Sequence, residues 1–292
     1  MTVLALLASA CASTSDEEPA PAFGGILEPD VSVPATPEVA GVDTSAGDGT
    51  AVVSWATHSD GGSPVCAAEV EVVDTADDIN PIRKLFGNCV TDIGAGMHHS
   101  CALLEGGSVE CWGSNNVAQL GREGDGGPVP GQVVGLDGEE KVATAITAAG
   151  IHSCALLEGG SVECWGHNDE GQLGREGDGG PVPGQVVGLD GVEKVATAIT
   201  AAGIHSCALL EGGSVECWGH NDEGQLGREG DGGPVPGQVV GLDGVEKVAT
   251  AITAAGWGHS CALLEGGSVE CWGDNWGGQL GREGDGGPVP GQ

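Results

Sequence analysis

A segment that combines histidine, serine and cysteine occurs four times in the chain. It runs HSCALLEGGSVECWG and begins at His99, His152, His205 and His259. A histidine, a cysteine two positions later and a second cysteine ten residues further on could supply three ligands to zinc. The same segment holds serine, histidine and glutamate, which are residue types of a nucleophilic triad. Metal binding, catalysis and a structural role are therefore the three roles to compare.

Catalysis and zinc binding both fit the spacing poorly. A triad is a single group assembled from separate segments, whereas His99, Ser100 and Glu105 lie in one short stretch that recurs in every repeat. Recurrence of this kind is what packing requires, so we expect the chain not to be an enzyme. A zinc site at His99, Cys101 and Cys111 is the less favoured alternative, because no fourth ligand keeps a fixed place among the repeats.

Disulfide bonds are the structural role that the turn between the two cysteines predicts. A three-residue turn over 105–107, with its last glycine left-handed, places Cys101 opposite Cys111 in a non-hydrogen-bonded pair, about 4.5 Å apart between Cα atoms. That distance is within reach of a disulfide. The same register predicts Cys154–Cys164, Cys207–Cys217 and Cys261–Cys271. Cys66–Cys89 would be a fifth bridge and would leave Cys11 alone among the 11 cysteines.

The spacing of the repeats predicts the elements that position these side chains. Successive starts lie 53, 53 and 54 residues apart, and no segment shows the apolar pattern of an amphipathic helix. A period near 50 with several strand signals indicates the blades of a β-propeller. Within one repeat, candidate strands cover 142–147, 154–157, 161–165 and, more weakly, 184–187. Four short antiparallel strands make one blade, so we predict an all-β fold.

The repeat also resembles a known family. The stretch GIHSCALLEGGSVECWGHNDEGQLG is similar to the regulator of chromosome condensation repeat, with its His-Ser-Cys strand, Trp-Gly turn and Gly-Gln-Leu-Gly turn. The resemblance covers residues 93–292 and implies a β-propeller, usually of seven blades. Four Trp-Gly turns are present and are interpreted as structural: Trp112-Gly113, Trp165-Gly166, Trp218-Gly219 and Trp272-Gly273.

Closure of such a ring is left open by the sequence. Residues 89–96, CVTDIGAG, occupy the place that ATAITAAG has in later repeats. They could therefore complete the final blade, as in ring-closing folds. Alternatively, the four blades form an open arc, whose exposed strand edges would favour self-association.

The N-terminal third differs in character from the repeats. Residues 1–10 form an apolar run that is too short to span a bilayer. The segment 1–11 resembles the end of a bacterial lipoprotein signal, with Cys11 as the lipidated residue, although no Lys or Arg precedes it. An ordinary signal peptide is the alternative. Residues 12–32 are interpreted as a disordered linker. Residues 33–92 resemble part of a fibronectin type III domain, a β-sandwich, with Trp55 on its second strand.

These features together predict a compartment. Signal and disulfides point to an exported protein at the outer membrane, the cell surface or the periplasm. We expect contact with the membrane only through the lipid anchor.

Charge narrows the class of partner. Lys and Arg total 9 against 43 Asp and Glu, a net charge of −34, which excludes a nucleic acid and favours a basic ligand. The acidic loops lack the spacing of a calcium loop, so we expect no cofactor, with calcium as the alternative. The candidate contact residues are Asp169, Glu170, Asp222, Glu223, Trp257 and Trp276.

The predicted function is that of an exported, lipid-anchored and non-enzymatic scaffold that binds a protein or a glycan. Two alternatives remain. The family resemblance implies a guanine-nucleotide exchange factor or another regulator of a small GTPase, and near-identical repeats could also form a surface spacer that binds nothing.

Overall fold

A computed structural model describes residues 90–291 in full and three strands before them. These three strands, β1 (Val52–Ser59), β2 (Pro64–Val72) and β3 (Ile82–Leu85), form an antiparallel sheet in that order. The side chains of Cys11, Cys66 and Cys89 lie outside the described residues. Lipidation, the fifth bridge, the linker and the fibronectin-like module therefore stay predictions.

Four blades follow, each an antiparallel sheet of four strands. The first contains β4 (Val90–Ala95), β5 (His99–Leu104), β6 (Ser108–Gly113) and β7 (Gly127–Asp137). The second contains β8 (Ala143–Ala148), β9 (His152–Leu157), β10 (Ser161–Gly166) and β11 (Gly180–Asp190). The third contains β12 (Ala196–Ala201), β13 (His205–Leu210), β14 (Ser214–Gly219) and β15 (Gly233–Asp243). The fourth contains β16 (Ala249–Ala255), β17 (His259–Leu264), β18 (Val269–Asp274) and β19 (Gly286–Gly291). The all-β prediction is confirmed.

The last strand of a blade differs from its prediction. The weak signal at 184–187 expands to the eleven residues of β11, which contain Pro181 and Pro183. Proline lacks a backbone N–H and is tolerated on an edge strand. Here β11 is the end strand of its sheet and pairs on one side with β10 through irregular register.

The central hairpin has the predicted register. Gly107 has φ of 84°, and its N–H donates to the Leu104 carbonyl over 2.9 Å. Cys101 lies opposite Cys111 with 4.1 Å between Cα atoms, and the two are joined in a disulfide. The three other predicted bridges within blades are also present, namely Cys154–Cys164, Cys207–Cys217 and Cys261–Cys271. Because their sulfurs are bonded to each other, these cysteines are not free to ligate zinc.

The hydrophobic cores lie between blades. The first core joins Leu103 and Val109 of the first blade to Ile146, Leu157 and Trp165 of the second. Two further cores join the second blade to the third and the third to the fourth. A central strand such as β9 is buried along its whole length, because a neighbouring blade covers each of its faces.

The expectation that residues 89–96 complete the final blade is wrong. Val90–Ala95 is the first strand of the first blade, and the fourth blade has its own first strand, Ala249–Ala255. Within residues 90–291, no hydrogen bond joins the first blade to the fourth. No helix in the described part of the chain is both long and apolar enough to cross a membrane.

Candidate binding site

The loop that follows the third strand of each blade is held by one asparagine. In the second blade, the Asn168 amide donates to the carbonyls of Arg175 and Gly177 over 2.9 and 2.7 Å. Its carbonyl oxygen accepts from the Leu173 N–H over 2.9 Å. Asn221 and Asn275 make the same three hydrogen bonds in the next blades. The Trp-Gly-x-Asn motif therefore fixes the path of the loop that carries the acidic residues.

Close packing brings this loop against the next blade. Gly171 has φ of 75°, and a Cβ there would lie 2.5 Å from the Pro234 backbone nitrogen. Only glycine combines this backbone conformation with this approach. The loop of the second blade consequently forms one wall of a groove whose other wall belongs to the third blade.

This acidic groove has a volume of about 420 Å³. It is lined by five carboxylates, those of Asp169, Glu170, Glu176, Asp222 and Asp231, together with His220 and Arg175. The Arg175 guanidinium donates to the carbonyls of Cys164 and Gly184 over 2.6 and 3.1 Å. Burial lowers the pKa of Arg175, while nearby Glu163 raises it. Because the two hydrogen bonds turn this cation toward the protein backbone, the groove presents mainly negative charge.

A chain of hydrogen bonds orients one of these carboxylates. The Glu223 N–H donates to Gln225 Oε1 over 3.0 Å, so the amide nitrogen of Gln225 must be the donor to His220 Nδ1, also at 3.0 Å. The proton of neutral His220 is then on Nε2, which lies 3.2 Å from Asp222 Oδ2. Asp222 is 83% exposed, so its carboxylate is positioned without being withdrawn from solvent.

Only three of the six predicted contact residues lie in the acidic groove. Asp169, Glu170 and Asp222 share the acidic groove. Glu223 instead faces Gly258 beside Asp274, because a Cβ on Gly258 would contact both side chains. Trp257 packs over Gly203 and is 54% exposed, whereas Trp276 is 96% exposed. The role of His220 was not predicted, although histidine occupies this place in two repeats, His167 and His220.

The tryptophans of the Trp-Gly turns hold blades together. Trp165 Nε1 donates to the Gln119 carbonyl of the preceding blade over 3.0 Å. Trp218 and Trp272 make the same bond to Gln172 and Gln225, and all three indoles are buried. Trp112 is partly exposed. The following glycines have left-handed φ angles between 101° and 112°: Gly113, Gly166, Gly219 and Gly273.

The repeated histidines also lie at the blade interfaces. His152 Nε2 lies 2.7 Å from Ser206 Oγ, which itself donates to the Gln172 carbonyl over 3.1 Å. The ring must therefore donate from Nε2, and its buried Nδ1 has no partner among the described residues. Burial lowers the pKa of His152 to about 3, with smaller contributions from His205, His99 and His167. Burial likewise lowers the pKa of His205 to about 3 and that of His99 to about 4.

Metal ligands are not grouped in the described part of the chain. Residues 90–291 contain no set of three or more His, Cys, Asp or Glu side chains placed to hold a metal ion. The expectation that the protein needs no cofactor, with calcium as its alternative, stays a prediction.

Models of the regulator of chromosome condensation (RCC1) repeat match residues 90–119, 152–172, 251–279 and 212–263. These segments are RCC1 repeats, as the resemblance indicated. Human HERC2, an E3 ubiquitin-protein ligase, is 34% identical over 203 residues, which are 68% of this chain and 4% of HERC2. The Arabidopsis thaliana mitochondrial protein RUG3 is 34% identical over 64% of this chain and 42% of RUG3. The chain thus spans less than half the length of these relatives.

Solved structures share the fold. Human WBSCR16 superimposes with a TM-score of 0.63 at 21% identity, covering 72% of this chain and 55% of WBSCR16. Yeast RCC1 (Prp20), solved bound to Kap60, superimposes with a TM-score of 0.62 at 21% identity, covering 82% of this chain and 58% of the yeast protein. Both likenesses support RCC1-type blades.

One prediction is contradicted by the relatives. The chain was expected not to be an enzyme, but human HERC2 and the probable ligase HERC6 are E3 ubiquitin-protein ligases, which are enzymes. The matched region is the repeats, and it covers 4% of HERC2 and 20% of HERC6. Four-fold recurrence of His-Ser-Cys explains the packing of a blade, but it was no ground for excluding an activity.

Proposed function

We propose that this RCC1-repeat chain is an exported protein-binding propeller whose acidic groove takes a basic segment of a partner protein. The observation that carries the proposal is the groove itself, where five carboxylates converge and the arginine is hydrogen-bonded to backbone carbonyls. Prp20p, a structural neighbour, was described together with its binding to Gsp1p and histones, which supports a protein as the class of partner.

The expected strength of binding depends on how far the carboxylates of the groove are exposed to solvent. Asp169 and Asp222 are 81% and 83% exposed, and exposed ion pairs each contribute about 0.2–1 kcal/mol. Several pairs formed at once are needed for specific binding, so a segment with clustered lysines or arginines fits best. Because ions screen exposed charges, binding should weaken as salt is added.

The first blade supplies a natural contrast within the chain. Its loop runs Ser114-Asn115-Asn116-Val117, where the second blade has His167-Asn168-Asp169-Glu170. The Asn115 amide makes the same bonds to two loop carbonyls, so the loop keeps its path but lacks two carboxylates. The two blades thus share the same loop conformation, and the second blade adds the carboxylates that make the groove acidic.

A peptide titration tests the proposal. A fluorescent nonapeptide of alternating lysine and arginine is added to the full chain and to the triple variant Asp169→Asn, Glu170→Gln, Asp222→Asn, with binding measured by fluorescence anisotropy. Loss of three exposed pairs should weaken binding about tenfold.

A charge-matched variant is the control. Glu105→Gln, Glu139→Gln, Glu140→Gln removes one exposed carboxylate from the first blade and two from its connection to the second blade, away from the groove. Both triple variants therefore have a net charge of −34 + 3 = −31. We expect this control to bind like the natural chain. Equal weakening in the two variants would show that total charge, and not the groove, attracts the peptide. If the natural ligand is a glycan, we expect the natural chain not to bind the peptide.

Export is the second part of the proposal. The four disulfides between described residues are compatible with an extracellular or exported protein, since bridges persist in oxidising compartments. Mass spectrometry of the mature N-terminus and of the disulfide map tests export and a lipid on Cys11 together. Recovery of the chain from the cytosol with free thiols would overturn this part.

Regulation of a small GTPase is the second candidate function, and the likeness to Prp20p favours it. Its test is the release of a labelled nucleotide from a small GTPase with and without the chain. Accelerated release would favour this function over the groove proposal, and an unchanged rate would count against it.

A further inference from the structure

The fourth repeat differs from the two before it at two places only. Residues 141–185 and 194–238 are identical to each other. Residues 247–292 repeat them, except that Trp257-Gly258 replaces a single isoleucine and Asp274-Asn275-Trp276-Gly277 replaces His-Asn-Asp-Glu. Both changes fall in loops, one before the second strand of the fourth blade and one at the end of its third strand. The strands themselves are unchanged, so the fourth repeat keeps the blade and alters its surface.

The two altered loops meet beside the third blade. The Asp274 N–H donates to the Gly258 carbonyl over 2.7 Å. A Cβ on Gly258 would lie 3.2 Å from Asp274 Cβ and 3.6 Å from Glu223 Cβ. The Trp257 carbonyl accepts from Gln225 Nε2 of the third blade over 3.5 Å. The changes of the fourth repeat therefore come together at one place on the surface, next to a carboxylate of the third blade.

Hydrogen bonds fix the loop that carries Trp276. Asp274 Oδ1 accepts from the Trp276 N–H over 2.9 Å, and its Oδ2 accepts from Gln279 Nε2 over 2.8 Å. In the third blade His220 takes the place of Asp274, and its Nε2 lies 3.2 Å from Asp222 Oδ2. A carboxylate at 276 would face that of Asp274 instead of an imidazole. The exchange of aspartate for tryptophan thus matches the exchange of histidine for aspartate beside it.

The exposure of Trp276 comes from its place within the blade. Asp169 and Asp222 hold this place in the second and third blades, and their side chains are 81% and 83% exposed although each blade has a neighbour on both sides. Trp276 is 96% exposed, whereas tryptophan is highly buried on average. Within residues 90–291, neither Asp274 nor Glu223 pairs with a lysine, arginine or histidine. An exposed indole therefore stands beside two carboxylates without a counter-ion.

We propose that Trp276, Asp274 and Glu223 form an arginine site, which binds an arginine side chain of the partner's basic segment and so rests on the proposed function. A cation is attracted to the face of an indole when it lies within about 6 Å of the ring centre. Arginine fits this site better than lysine, because its guanidinium is planar and weakly hydrated. It can stack on the indole while its N–H groups donate to a carboxylate. The acidic groove attracts any cation, whereas the arginine site selects one residue type.

Two peptides of equal charge test the arginine site. The lysine peptide is a fluorescent nonapeptide of nine lysines, and the arginine peptide differs only by an arginine at its centre. Fluorescence anisotropy gives the affinity of the full chain and of Trp276→Gln for each. A contact between a cation and an exposed indole corresponds to about a threefold change in affinity. The natural chain should prefer the arginine peptide, and Trp276→Gln should lower this preference about threefold. Trp276→Phe should keep part of it, because phenylalanine binds cations through a weaker ring face.

Val245→Gln is the matched control. It also replaces an exposed apolar side chain, 83% exposed, but in the connection between the third and fourth blades, and it should keep the natural preference. The triple variant of the acidic groove should bind both peptides more weakly and keep the preference as well. An equal preference in the natural chain and in Trp276→Gln would overturn the arginine site and leave the groove proposal standing. Failure of the natural chain to bind either peptide would overturn both.

Discussion

The middle blades and the end blades carry nearly the same residues in different surroundings. Trp165 and Trp218 are 0% and 1% exposed, and each donates to a carbonyl of the preceding blade. Trp112 has the same sequence neighbours and is partly exposed. The core of this protein is therefore a property of pairs of blades and not of one blade, as in repeat proteins whose stability is a sum over neighbours.

Replacing the tryptophan of the Trp-Gly turn should destabilise a middle blade much more than the first blade, and this is the largest difference that we expect. Trp218→Ala deletes a buried indole and its bond to Gln172, so we expect the free energy of unfolding to fall by about 3–5 kcal/mol. Trp112→Ala should cost about 1 kcal/mol, because its side chain is already partly in solvent. Denaturant unfolding of the two variants and of the natural chain measures both losses. Equal losses of unfolding free energy in the two variants would mean that contact with a neighbouring blade does not determine how much the tryptophan stabilises the chain.

Removing the hairpin disulfide should lower the free energy of unfolding equally in the first and the third blade. Cys101–Cys111 in the first blade and Cys207–Cys217 in the third both close hairpins of ten-residue separation, and all four cysteines are buried. Each cysteine-to-alanine double variant should lose about 3 kcal/mol, since the loop entropy is the same. Thermal and denaturant unfolding under non-reducing conditions compare them. A loss of stability seen only in the third-blade variant would mean that the disulfide acts through contacts between blades and not through loop entropy.

Acid should act on the interfaces through their histidines. The pKa of His205 is lowered to about 3 by burial, against about 6.5 in the unfolded chain. Between these values only the unfolded state takes up the proton, so stability falls as pH drops from 6.5 toward 3. Each such ring contributes about 1.4 kcal/mol per pH unit in this window.

His205→Gln tests this, because glutamine keeps a donor toward Ser260 without titrating. The slope of unfolding free energy against pH, measured from pH 6 to 5, should decrease by about 1.4 kcal/mol per pH unit. The Cys207→Ala, Cys217→Ala variant is destabilised without losing a titrating ring and should keep the natural slope. An unchanged slope in His205→Gln would contradict the assignment of this pH dependence to the buried His205 ring.

The smallest effect concerns a loop of the first blade. Ala118 has φ of 63°, while its counterparts Gly171, Gly224 and Gly278 have φ near 75°. A left-handed alanine is strained, so Ala118→Gly should stabilise the chain by about 0.5 kcal/mol. The reverse change, Gly171→Ala, should destabilise it, because the new Cβ would meet Pro234. Melting temperatures of the two variants check the opposite signs.

Local geometry was predictable from the sequence. The turn at 105–107 fixes the pairing of Cys101 with Cys111, because turn length sets hairpin register without reference to the rest of the fold. The period of the repeats likewise predicted four blades of four strands. Three of the five acidic residues that line the groove, Asp169, Glu170 and Asp222, were named as candidate contacts, since charge and loop position are visible in the sequence. Their role in binding stays a prediction.

Contacts between blades were not predictable in the same way. The acceptor for Trp165 is the backbone carbonyl of Gln119, and every residue has such a carbonyl, so no residue type marks it. The prolines of Gly180–Asp190 concealed most of an edge strand. Residues 90–95 resemble the first strand of every repeat, and sequence similarity alone could not show which blade they join.

The hairpin disulfides also bear on how the chain acquires its covalent structure. Eight cysteines in near-identical surroundings can be joined in on the order of a hundred different ways. Each native pair, however, is separated by only ten residues, and loops of about this length close within about 10–100 ns. Oxidation therefore favours the native partners within each hairpin, because closing a short loop costs less entropy than closing the longer loop between two repeats. A chain whose repeats invite exchange of partners is thus protected from scrambling by the shortness of its own crosslinks.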